Sequence, residues 1–173
     1  MTNPCHISLM VLVVLLLGDN SSDRMRWLHT VYGGSLFGAF AALVIPHLEN
    51  LNLAEIVAFF GEHSLIWPLG PLILYRRYGF RAPGWRDTLV GFGCYILYHI
   101  IVLVPICRLT KINVNFQLCP SPEEWFLSFG YHYYAIEVIN LGIIAYAIRL
   151  VTFCYCYIFI GRWVTPQPKL KPQ

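Results

Sequence analysis

The chain has 173 residues, of which 57% are hydrophobic and 12% charged, with a formal net charge of +3. An average soluble domain carries about 25% charged residues, so a soluble core is excluded as the destination of this much apolar surface. The apolar residues come in runs of roughly 20, the length that crosses ~30 Å of hydrocarbon at ~1.5 Å per residue, and none alternates with period two. The class is therefore all-α: a polytopic transmembrane helix bundle of about five membrane segments.

In chain order the segments cover about residues 5–17, 27–46, 53–75, 88–107 and 133–160, and residues 1–164 read as one integral membrane helical domain. The first run resembles a signal peptide, but residues 1–6 carry no Lys or Arg and no A-x-A site follows. It is also short, reaching only ~20 Å, so it reads as a half-helix or as the remainder of a longer segment upstream. Between the third and fourth runs lies a basic turn, residues 76–86. A longer loop, 108–132, precedes the last run, and the Pro/Lys-rich residues 165–173 read as a disordered cytoplasmic tail.

Lys and Arg collect in cytoplasmic connectors. Placing residues 21–26, the 76–86 turn and the C-terminal tail on that side puts nine of the twelve cations there, leaving Arg108 and Lys111 opposite and Arg149 within a span. The positive charge then faces anionic lipid, and no nucleic-acid partner is called for. In the second segment Gly34, Gly38 and Ala42 have small-xxx-small spacing, the pattern of a helix-packing face.

The cysteines form no metal or redox motif. Cys154-x-Cys156 lacks the C-x-x-C spacing, and Cys94, Cys154 and Cys156 read as small apolar residues inside helices. Cys107 and Cys119 lie at or beyond the non-cytoplasmic face, where an oxidising lumen would allow a disulfide between them. No cofactor or metal is expected.

Depth brings chemistry together. Cys5 lies 13 residues before Gly18, His63 lies 13 before Arg76 and His99 lies 13 after Arg86. All three fall ~20 Å from the cytoplasmic face by helical rise. Arg149 lies 13 residues before Arg162, which the same count puts in that layer, where a cation could hold a lipid phosphate. An ionisable side chain inside a membrane is a functional candidate by default, although a single His is more often interhelical glue.

Asn3-Pro4-Cys5-His6 reads as a helix start, with Asn3 as N-cap and Pro4 at the first helical position. A thiol there feels the positive end of the helix dipole, and the unpaired N–H groups of the first turn could hold an oxyanion. His63 at matched depth is the expected base; His6 points about 100° away around the helix.

These residues carry a resemblance. Asn3-Pro4-Cys5-His6, Glu62-His63-Ser64-Leu65 followed by Pro68 and Pro71, Leu97-Tyr98-His99, and Asn113-Val114-Asn115-Phe116-Gln117-Leu118-Cys119-Pro120 are together similar to the transmembrane protein 164 family. The resemblance implies a membrane-embedded phospholipid acyltransferase. It would place a polyunsaturated, arachidonoyl-like chain at the sn-2 position of ether phosphatidylethanolamine, with a Cys nucleophile and a His that fall by motif on Cys5 and His63. It also implies distant kinship with membrane hydrolases related to androgen-induced gene 1. Asn3, His99 and Arg149 are the expected supporting or substrate-binding residues, phospholipids the substrates, and an endomembrane such as the endoplasmic reticulum or Golgi the location. Members of the family carry further helices upstream of the Asn-Pro-Cys-His motif, so this chain reads as a truncated form. The rival expectation is a non-catalytic multi-pass scaffold or regulator, favoured if the truncation is genuine.

Overall fold

The computed structural model describes residues 4–46, 48, 51–79, 82–112 and 132–161. Among them the chain is helical, with no strand. The helices are α1 (Pro4–Leu17), α2 (Asp23–Val44), α3 (Leu53–Ser64), α4 (Gly70–Tyr78), α5 (Trp85–Tyr98), α6 (Val104–Thr110) and α7 (Tyr133–Ile160). Leu65–Leu69 forms a π-helical turn joining α3 to α4, and His99–Leu103 forms a second joining α5 to α6. Four stretches are long and apolar enough to cross a membrane: Asp23–Val44, Leu53–Tyr78, Trp85–Thr110 and Val138–Ile160. The shorter α1 is the fifth element, as the sequence led us to expect. Helices in the second to fourth segments run up to four residues past the expected ends, because backbone hydrogen bonding continues into polar flanks that hydropathy excludes. Asn3, Cys119, the loop motif 113–120 and the tail 165–173 lie outside the described residues.

Local chemistry accounts for several ends. Pro4 opens α1, where its missing N–H is no loss. Asn52 and Glu55 form a reciprocal capping box at the start of α3, with bonds of 3.0 and 2.8 Å. Gly79, at φ 82°, terminates α4 in a conformation that L side chains rarely adopt.

The central element is α2, which packs against α1, α3, α5 and α7. Its buried Tyr32, Leu36, Phe37 and Ala39 join Leu12 and Leu15 of α1, Ile66, Leu74 and Phe92, and Ala145 and Ile148 of α7 in one core. The closest approach is to α5, through Gly34 and Gly91, so Gly34 of the small-residue stripe lies in a packing face, while the Tyr95 hydroxyl faces Gly38.

The break between α3 and α4 is real. Trp67 leaves the helical region at φ −147°, ψ 124°, and Pro68 and Pro71 can donate no backbone hydrogen bond. A membrane offers no water to the carbonyls so released. Side chains take that place: Tyr32 Oη donates to the Ile66 carbonyl at 2.6 Å, and Tyr155 Oη donates to that of Pro68. Trp67 Nε1 donates to Thr152 Oγ1 at 2.9 Å, fixing the ring of the irregular residue itself.

Candidate functional site

Cys5 occupies the first turn of α1, half-buried against the core. Beside it, His6 Nε2 lies 3.4 Å from Glu62 Oε2 in the last turn of α3. That contact joins the opening turn of α1, which bears Cys5, to the closing turn of α3, which bears His63. Glu62 also interacts electrostatically with the Cys5 thiol. Its other oxygen, Oε1, is buried and has no hydrogen-bond partner among the described residues.

His63 is 4% exposed. Its Nδ1 lies 2.7 Å from the Phe59 carbonyl oxygen, and its ring lies over that of Phe59 at 4.2 Å. A carbonyl can only accept, so Nδ1 carries the proton and Nε2 presents a lone pair. A buried imidazole held in this tautomer is arranged to accept a proton.

His99 repeats the arrangement. It is 7% exposed, its Nδ1 lies 2.8 Å from the Tyr95 carbonyl, and its ring lies over Tyr95 at 4.1 Å. Each histidine stands at the lip of a π turn, with an aromatic residue four positions earlier. The pattern aromatic-x3-His before an irregular turn is visible in the sequence as Phe59/His63 and Tyr95/His99, and depth counting alone did not use it. His63 stands on α3 and His99 at the end of α5, and α2 packs against both helices. A small apolar groove of about 90 Å³ lies between α1, α2 and α5, with Pro4 and Ser8 on one wall and Tyr95 and Tyr98 on the other. Among the described residues, no three His, Cys, Asp or Glu side chains converge as metal ligands.

Arg149 requires a correction. Residue counting put it level with Cys5, but its Nη1 donates to Thr88 Oγ1 at 3.4 Å, near the start of α5, and its guanidinium lies on Gly33. Ser8 and Ser35 hydroxyls meet at 3.1 Å, so in the antiparallel α1–α2 pair Cys5 is level with about Gly38. Gly33 is five residues from there, ~7.5 Å toward the end of the bundle that carries Arg76, Arg77 and Arg86. The count follows backbone rise, whereas these contacts are made by the end of a long side chain that reaches from its own turn toward the basic end. α7 meets α5 where Gly142 faces Phe92 and meets the α3–α4 break where Thr152 meets Trp67. Arg149 is 9% exposed and interacts electrostatically with His29. Sequence reasoning also missed Glu62 as a member of the Cys5 cluster, since a helix-terminal Glu carries no signal of what lies opposite.

Comparison with known proteins agrees with this architecture. The profile of the TMEM164 family matches residues 2–160. A Transmembrane protein 164 homolog from Dictyostelium discoideum is 29% identical over 126 residues, covering 70% of this chain and 44% of the relative, so the chain spans less than half of that protein's length. No solved structure matches. With nearly the whole chain matched, and with four spanning helices and a fifth, shorter one arranged as the motifs led us to expect, the chain belongs to the TMEM164 family.

Proposed function

We propose that the chain acts as a membrane-embedded phospholipid acyltransferase, moving a polyunsaturated, arachidonoyl-like chain onto the sn-2 position of ether phosphatidylethanolamine through Cys5 and His63. The observation that carries this reading is the His6–Glu62 contact of 3.4 Å, because it sets the turn bearing Cys5 beside the turn bearing His63. The bare Nε2 of His63 supports it further.

In the first half-reaction the Cys5 sulfur bonds to the carbonyl carbon of an sn-2 ester while its proton passes to His63 Nε2. The ester C–O bond breaks, His63 returns the proton to the departing alkoxide, and a thioester remains on Cys5. In this scheme the N–H groups of the first turn of α1 hold the developing oxyanion. His99 supports the packing of the neighbouring flank, and Arg149 suits a lipid phosphate ~7.5 Å from the reacting layer.

The test is to supply membranes containing the chain with a phospholipid labelled in its sn-2 acyl group. A hydroxylamine-labile label on Cys5 is expected, absent from Cys5→Ala. A wild-type chain that expresses normally and takes up no label leaves the scaffold reading in place.

A further inference from the structure

The Glu62 carboxylate divides between two surroundings. Oε2 meets His6 at 3.4 Å, whereas Oε1 is buried with no hydrogen-bond partner among the described residues. Burying a carboxylate oxygen without a donor is expensive, and more so where no water can reach it. Holding His6 requires one oxygen only, so a latch between α1 and α3 does not account for the second. The donor that Oε1 lacks is one that arrives with a ligand, and the Glu62 carboxylate acts electrostatically on the Cys5 thiol, one residue from the His6 that it holds. A lipid that discharges a Cys5 thioester must bring a free hydroxyl to that spot.

We infer that Glu62 receives the hydroxyl of the acyl acceptor, a lysophospholipid, at the Cys5 site. This rests on the acyltransferase reading above. The acceptor O–H donates to Oε1, which aims its oxygen at the thioester carbon. The new C–O bond forms as the C–S bond breaks. The hydroxyl proton passes to Oε1 and from there to the departing Cys5 sulfur, restoring carboxylate and thiol. His63 serves the loading half-reaction and Glu62 the discharge.

Separating the halves tests this. Cys5 is loaded in membranes with a labelled acyl group from a phospholipid donor, the donor is removed, and lysophosphatidylcholine or lysophosphatidylethanolamine is added. Glu62→Gln is expected to load like the wild type and to discharge roughly 10- to 100-fold more slowly, the range for losing a hydrogen bond to a charged group. Glu62→Asp, which retains the charge on a shorter arm, is expected to be intermediate. His6→Ala, which removes the latch and keeps the Glu62 carboxylate, is expected to lower the fraction of molecules loaded and to leave the discharge rate of each loaded molecule at the wild-type value. Rates are read per loaded molecule, so they report folded protein alone.

Discharge of Glu62→Gln at the wild-type rate overturns the inference and leaves the Cys5 reading standing. So does equal slowing by His6→Ala, which would make Glu62 a latch, or slowing confined to the ethanolamine lipid, which would make it a head-group receptor. Loss of loading in both Glu62 variants overturns it as well. Absence of any thioester on the wild type sinks the Cys5 reading itself.

Discussion

Gly34 of α2 and Gly91 of α5 meet backbone to backbone. A Cβ built on Gly91 would lie 3.0 Å from the Gly34 Cα and 2.6 Å from the Thr30 carbonyl oxygen. Backbone cannot rotate aside as a side chain can, so a larger residue has to drive the helices apart. Gly91→Val is expected to destabilise by about 1–3 kcal/mol or more, the range for overpacking a filled interface. Gly93→Ala, with open space around its Cβ, is the control and is expected to be neutral or slightly stabilising. Thermal unfolding in detergent compares the two, and equal melting temperatures would refute the close approach.

The Trp67–Thr152 hydrogen bond of 2.9 Å ties the irregular residue in the broken span to α7. Thr152→Val keeps the volume and removes the acceptor. It is expected to cost about 0.5–1.5 kcal/mol, and Trp67→Phe should add little once Thr152 has been replaced. A double-mutant cycle measures this coupling; simple additivity would mean that the bond contributes nothing.

If Cys5 and His63 act as one unit, as proposed above, their substitutions behave non-additively. Cys5→Ala and His63→Ala are each expected to abolish loading, with the double variant no worse than either. Cys5→Ser is expected to fail too, since an alcohol needs a better placed base than a thiol does. His99→Ala should weaken activity through packing without abolishing it. Stepwise, multiplicative losses in acyl-transfer assays would separate the two residues.

Asn20, in the sequon Asn20-Ser21-Ser22, lies in the connection between α1 and α2, where its Nδ2 donates to the Arg77 carbonyl at 3.2 Å. If the basic end faces the cytoplasm, this asparagine is expected to stay unglycosylated. A glycosidase-sensitive mass shift lost in Asn20→Gln would reverse the orientation.

The spans were legible because apolar length is a property of composition, and α7 was read with the bounds that the structure gives it. The approach of α1 to α3 is carried by His6 and Glu62, which stand next to the two residues that depth counting singled out. The place of the Arg149 guanidinium was not legible, since counting along a chain places a backbone and not the end of a long side chain. The role of Glu62 was hidden for a related reason. Sequence shows that a carboxylate stands next to His63 but not that its second oxygen is buried. The donors to the Ile66 and Pro68 carbonyls, Tyr32 and Tyr155, come from helices 34 and 87 residues away, a pairing that no local pattern announces.

Because Trp67 departs from the helical conformation, α3 and α4 do not share a rotational phase although they belong to one span. α4 is indexed to α1 by Arg77, which donates to the Gly18 carbonyl, and by Tyr78, whose hydroxyl donates to that of Leu15 at 2.8 Å. α3 is indexed to α1 independently, by Glu62 and His6. One residue inserted into an unbroken helix would turn everything beyond it by about 100° and strip one of these two sets of contacts. Here the irregular turn takes up the difference, so the half of the span that bears His63 and the half that bears the arginines each keep their own register against α1.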